Sequence, residues 1–178
     1  MKTKLKIKVY TDGSINTVKN VDGIDNVAAY GFIAMTRDQS TGIDDELGRA
    51  VTVVENSTIT EMELRGILSA AIFATKKFGA KHELTIEVYS DSKTATDAFN
   101  DYISKWIKAS IRTKGEWRST NGKPVAHQDI YKEILEKTES IKIKYIHVKS
   151  HKDSEYNNAV DKLVRDAVAA RIAELIPE

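Results

Sequence analysis

The sequence predicts an α/β fold: a five-stranded mixed sheet with helices on both faces, in the element order βββαβααβα. Two observations carry that expectation. Near the N-terminus three strand-like apolar segments follow one another with short polar connections, the pattern of an antiparallel meander. From residue 60 onward, segments with helical spacing alternate with strand-like ones, which sets helices against a sheet that is no longer purely antiparallel.

Residues 4–11 alternate with period two, Leu5, Ile7 and Val9 lying on one face and lysines on the other. The Asp12-Gly13-Ser14 that follows is a turn signal, and a polar loop is expected to run to about Asn26. Residues 27–36 read as a second apolar strand, 37–46 as turn material, and 47–55 as a third strand rich in β-branched residues. From Thr60 to Phe78, Leu64, Ile67, Leu68, Ala71 and Ile72 recur at helical spacing, and Lys76, Lys77 and Gly79 form a stop signal. Residues 84–90 are a fourth strand, 92–110 a less regular helix, 113–126 a loop and 127–138 a short helix. Residues 141–149 alternate again as a fifth strand. The last helix, over 157–175, carries Val160, Leu163, Val164, Val168, Ile172 and Leu175 as its apolar stripe. No repeat or low-complexity tract divides the chain, so residues 1–178 are expected to form a single domain.

A length of 178 residues is enough for a substantial core. There is no cysteine, which excludes disulfides, thiolate catalysis and cysteine-type zinc sites. Lys and Arg number 27 against 26 Asp and Glu. The overall balance therefore does not mark a nucleic-acid binder, and any such surface must be local. No apolar run approaches the roughly 20 residues that span a bilayer. The N-terminal Met-Lys-Thr-Lys-Leu-Lys-Ile-Lys lacks the continuous apolar stretch of a secretory signal. A cytoplasmic protein without membrane association is expected.

Four acidic residues fall where elements begin or end: Asp12 after the first strand, Glu63 in the first turn of the first long helix, Asp91 after the fourth strand, and Asp161 near the start of the last helix. If the first and fourth strands are parallel neighbours, Asp12 and Asp91 leave the same edge of the sheet, where ligands of open α/β sheets gather. Carboxylates converging there repel one another unless a cation is present, and Mg2+ takes oxygen ligands. Two such ions about 3.5–4 Å apart can activate a water and stabilise the leaving oxygen of a phosphodiester. Each residue also has a plainer explanation. Glu63 stands at capping-box spacing from Thr60, and Asp12 before glycine suits a turn. Asp91 with Ser92 suits an N-cap, and Asp161 a helix dipole. Their joint occurrence in this order favours the site.

Val-Tyr-Thr-Asp-Gly-Ser (9–14), Thr-Glu-Met-Glu-Leu (60–64), Tyr-Ser-Asp-Ser (89–92) and His-Val-Lys-Ser-His (147–151) leading to Asp161 together resemble ribonuclease H type 1, over nearly the whole chain. The resemblance implies the ribonuclease H-like fold and an endonuclease that hydrolyses the RNA strand of RNA–DNA hybrids, giving 5′-phosphate and 3′-hydroxyl ends. It implies Asp12, Glu63, Asp91 and Asp161 as ligands of two Mg2+ ions, with Mn2+ as a substitute. It places the catalytic glutamate at 63 and leaves Glu61 exposed. It makes His151 a proton-handling loop residue near the departing 3′ oxygen, for which an ordinary imidazole pKa suits neutral pH. His147, on the preceding strand, is expected to be structural, and Asn157 and Thr58 to touch nucleic acid. The chain departs from the family pattern at Ser150, where glycine is usual, and at Thr58-Ile59-Thr60, where Thr-Asn-Asn is common. The stretch after Ser14 is longer and lacks Gly-Pro-Gly, which bears on how the RNA strand is held.

Residues 105–123 hold six cations against one carboxylate, Glu116, together with both tryptophans of the chain. Lys105, Lys108, Arg112, Lys114 and Arg118, with Trp106 and Trp117 between them, suit phosphate contact and stacking. A solvated helix face with both tryptophans in the core is the alternative. The stretch resembles the basic protrusion of bacterial ribonucleases H, at about 103–124, which grips the DNA strand. A monomer acting on hybrid without a partner domain is expected. The competing readings are another nuclease of the same fold, resolvase-like, and a non-catalytic hybrid-binding module.

Overall fold

The computed structural model describes residues 1–149 and 154–176. Strands β1 (Thr3–Thr17), β2 (Asn26–Arg37) and β3 (Asp44–Glu55) form the expected antiparallel meander. β4 (His82–Ser90) and β5 (Lys142–His147) run parallel to β1, giving a mixed sheet in the order β3-β2-β1-β4-β5. The helices are α1 (Ile59–Phe78), α2 (Lys93–Asp97), α3 (Ile103–Ser110), α4 (Gln128–Lys137) and α5 (Glu155–Leu175).

The alternation along the strands decides which face each helix covers. Ile7 and Val9 of β1, Phe32 and Ala34 of β2, and Ile86 and Val88 of β4 share one buried cluster with Leu64, Ile67 and Ala70 of α1 and Ile130 and Ile134 of α4. The opposite face carries Tyr10, Val27, Ala29, Ile33 and Met35, which pack on Val160, Val164 and Val168 of α5. Helices therefore lie on both faces, as the two-sided apolar pattern of β2 requires.

Between α2 and α3 the chain makes one wider π turn, Ala98–Tyr102. Ala95, Ala98 and Ile103 are the buried apolar residues of this stretch. Five residues separate the last two, and the wider turn returns Ile103 to the core side while Tyr102 faces solvent. The irregular hydrophobic period of 92–110 has this origin. Among the described residues no helix is long and apolar enough to cross a membrane.

One element departs from expectation where the site lies. Asp12 does not end β1. The strand continues five residues beyond it, pairing Asp12 with Gly31 and Thr17 with Asn26. The polar residues 12–17 favoured a turn, but the facing strand β2 supplies hydrogen-bond partners for their backbone and holds them extended.

Candidate active site

The site is a fork in the sheet. Parallel pairing of β1 with β4 stops at Tyr10 and Tyr89, whereas β1 stays paired with β2 to Thr17. Asp12 stands just past the fork on one prong, and Asp91 follows the last residue of β4 on the other. His147, at the end of β5, places its Nε2 3.1 Å from the Asp91 carbonyl oxygen and so ties that prong to β5.

Helix α1 closes the third side, and glycines let it approach. A Cβ on Gly13 would lie 2.7 Å from Met62 Cβ, and one on Gly66 would lie 3.3 Å from the Asp12 carbonyl oxygen. The sequence marks Gly66 only as an unexplained glycine inside a helical pattern. The close approach brings Glu63 to the fork. One carboxylate oxygen from each of Asp12, Glu63 and Asp91 lies within 4.8 Å of the other two.

The capping explanation for Glu63 does not hold. α1 starts at Ile59, and its N-cap is Thr58, whose hydroxyl accepts the Glu61 N–H at 3.2 Å. Glu61 therefore occupies the capping-box position. It is half-buried rather than exposed, accepting from Ser57 Oγ at 2.7 Å and Arg65 Nε at 2.9 Å. Ser92, not Asp91, caps α2.

Asp12 and Glu63 are each only 6% exposed. Burial, reinforced by the negative charges of Asp91 and Asp161, pushes the Asp12 carboxyl up to about 7, against the Gly13 N–H that donates to its Oδ1 at 2.8 Å. Burial and then the charges of Asp12 and Asp91 hold Glu63 well above the ordinary carboxylate range. Glu63 Oε2 is buried with no hydrogen-bond partner among the described residues. Mutually repelling carboxylates with an unsatisfied buried oxygen form a donor set that fits a hard divalent cation.

Asp161, in the second turn of α5, stands outside this triplet. Its Oδ2 lies 2.6 Å from Arg165 Nη2, although its charge is felt at Asp12. His151 lies outside the described residues.

Residues 4–169 match the family model for RNase H. The chain is also 32% identical over 169 residues to the ribonuclease H of Caldanaerobacter subterraneus subsp. tengcongensis, covering 94% of each protein. This chain belongs to the ribonuclease H family. Two solved ribonucleases H share its fold. LC9-RNase H1, a type 1 RNase H with the type 2 active-site motif, gives a TM-score of 0.74 at 15% identity, covering 94% of this chain and 74% of that one. LC11-RNase H1, solved in complex with an RNA/DNA hybrid, gives 0.64 at 15% identity, covering 93% of this chain and 99% of that one.

In this ribonuclease H the residues expected to touch nucleic acid separate into two groups. Lys105, Lys108, Arg112, Lys114 and Arg118 are exposed, on α3 and the loop after it. Arg118 is engaged within that loop, with Glu116 at 2.6 Å and the Gly122 carbonyl at 2.9 Å. Thr58 is exposed at the start of α1. Asn157, by contrast, is buried in the first turn of α5. Trp117 is 4% exposed and packs against Trp106, their ring centroids 5.8 Å apart. Its backbone N–H donates to Gln128 Oε1 at 2.9 Å. Trp117 is thus a core anchor and presents no face for stacking, which corrects its assignment as a nucleic-acid contact. Trp106 is half-buried and stacks on exposed Tyr102 at 6.0 Å.

Proposed function

We propose that this ribonuclease H is an endonuclease hydrolysing the RNA strand of RNA–DNA hybrids, leaving 5′-phosphate and 3′-hydroxyl ends. The observation that carries the reading is the convergence of Asp12, Glu63 and Asp91 around the unsatisfied Glu63 oxygen. These three and Asp161 would hold two Mg2+ ions, with Mn2+ as a substitute. When bound, such ions supply an activated water and charge stabilisation at the leaving oxygen of the phosphodiester.

The chain's own residues prepare that chemistry. Gly13 N–H orients the Asp12 carboxylate, and the α1 contact at Gly13 and Gly66 fixes Glu63 beside it. His151, by its place in the motif, would handle the proton at the departing 3′ oxygen. The protrusion at about 103–124 would grip the DNA strand through Lys105, Lys108, Arg112 and Lys114, with Trp106 and Tyr102 as an aromatic platform. Thr58 and Asn157 would line the substrate path. Discrimination would rest on 2′-hydroxyl contacts to one strand. The single domain would act as a cytoplasmic monomer.

The test is a labelled RNA–DNA hybrid incubated with Mg2+ beside duplex DNA and branched DNA of the same sequence. Wild type should cleave the RNA strand of the hybrid alone, and Asp12→Asn should cleave nothing. Undiminished cleavage by Asp12→Asn, or preferential cutting of branched DNA, would overturn the proposal. Tight hybrid binding without turnover at any Mg2+ or Mn2+ concentration would leave only a binding module.

A further inference from the structure

The lysine alternation at the N-terminus has no part in the acidic fork. Lys4, Lys6 and Lys8 project from β1 on the face opposite Ile7 and Val9. Lys144 of β5 shares that face by its register with Glu87, and Arg37 of β2 by alternation from Met35 two residues before it. α5 covers only part of it, over Tyr10, Ile33, Met35 and the residues beyond them toward Val18. The uncovered remainder forms a groove of about 440 Å³ whose lining holds these five cations against one carboxylate, Glu87. Lys6 is neutralised by Glu87 at 2.5 Å. Among the described residues Lys4, Lys8, Lys144 and Arg37 enter no ion pair with a carboxylate. Of the other acids on this face, Glu83 of β4, in register with Lys4, pairs with Lys142 at 3.5 Å, and on edge strand β3 Asp44 accepts from Tyr156 and Glu46 pairs with Arg49.

Unpaired like charges along a central strand repel one another and contribute nothing to folding by themselves. Their spacing is regular. Alternate residues of a strand stand about 6.6 Å apart, comparable to successive phosphates of an extended single strand. We infer that this groove is a second nucleic-acid surface, which takes the phosphate backbone of a single strand. Binding there is electrostatic and independent of base sequence, because the Tyr89 ring beneath Lys8, 6.0 Å from its ammonium, is already stacked on Tyr10 at 4.9 Å. The stack of Tyr10 with Tyr89 and Tyr156 stands between the groove and Asp12, so occupancy of the groove leaves the acidic fork open. The inference borrows from the proposed function only the choice of nucleic acid as the polyanion.

The experiment measures binding of an oligothymidylate of about 20 nucleotides, by fluorescence anisotropy across a salt series, with no divalent ion present. Wild type is compared with Lys4→Glu/Lys8→Glu/Lys144→Glu, and with a control of equal charge change elsewhere, Lys76→Glu/Lys81→Glu/Lys137→Glu. Each lost phosphate contact lowers the slope of log affinity on log salt by about 0.7 for a single strand. The groove variant is expected to lose about two units of slope and at least tenfold in affinity near 50 mM salt, with hybrid cleavage unchanged. The control should keep the wild-type slope. Equal effects in both variants, or none in the groove variant, overturn the inference; an acidic protein would then be the partner to seek. Loss of cleavage in wild type would instead refute the proposed function and leave this result standing.

Discussion

Arg165 Nη2 stands 2.6 Å from Asp161 Oδ2, one turn further along α5. With Arg165 exposed and Asp161 half-buried, a pair of this kind is worth about 1 kcal/mol, so a cation can displace it but must compete with it. If Asp161 is a metal ligand, Arg165 weakens the ion that Asp161 binds. Arg165→Ala is therefore expected to tighten the weaker of two Mn2+ binding events about two- to fivefold. Free Mn2+ measured by electron paramagnetic resonance reads this directly. Unchanged affinity would place Asp161 outside the metal site.

The raised carboxyl of Asp12 makes stability depend on pH. Unfolded, this group ionises near 3.8; folded, burial and its acidic neighbours bring it to about 7. Between those values the native state binds more protons than the unfolded one, so stability is full below the lower value and falls as pH rises through the upper. Glu63, raised in the same sense, adds to the slope. In chelator, the melting temperature should drop between pH 5 and pH 8, and Asp12→Asn should flatten that drop. Added Mg2+ should restore wild type at pH 8 and do much less for Asp12→Asn. A wild-type melting temperature that rises with pH would contradict the buried triplet.

The contact that brings Glu63 to the fork gives a third expectation. A Cβ at Gly13 would meet Met62 Cβ at 2.7 Å and the Glu63 backbone nitrogen at 3.0 Å, so α1 must shift to admit it. Gly13→Ala should cost about 1–3 kcal/mol, the range for overpacking a tight contact. Because the displaced residue is Glu63 itself, cleavage rate should fall further than the folded fraction does. Urea titration beside turnover under folding conditions separates the two effects.

How much of this was legible beforehand follows from which interactions are local. Period two and helical spacing located all five strands and the long helices, because one-sided burial imprints itself on neighbouring residues. The parallel pairing of β1 with β4 entered the sequence reading only as a condition, and the sheet meets it. Three features were not legible. β1 runs on past Asp12 because of partners on β2, which no local turn propensity records. The first cap is Thr58 rather than Thr60, a shift of two residues that moved the capping explanation from Glu63 to Glu61. The fate of each tryptophan depended on α4, whose Tyr131 meets Trp106 edge-on and whose Gln128 anchors Trp117. Asp12, Glu63 and Asp91, whose carboxylates converge, had been marked by motif order rather than by contact, while Asp161 stands outside the triplet.

The corrected role of Trp117 separates anchoring from binding within one segment. Trp117→Ala removes a buried ring that packs on Trp106 and carries Lys132 at 5.2 Å over its face. A loss of about 3–5 kcal/mol is expected, as for other large aromatic-to-alanine changes in cores. Lys108→Ala/Arg112→Ala, on exposed positions of the same segment, should leave the urea midpoint unchanged and lower the salt slope of hybrid binding by about two units. Hybrid binding must be followed in the Asp12→Asn background, so that cleavage does not deplete the ligand. Lost hybrid affinity in Trp117→Ala at urea-free, fully folded conditions, with Lys108→Ala/Arg112→Ala silent, would return the tryptophan to the interface. The buried position of its ring predicts the reverse: a destabilised protein whose folded fraction keeps its salt slope.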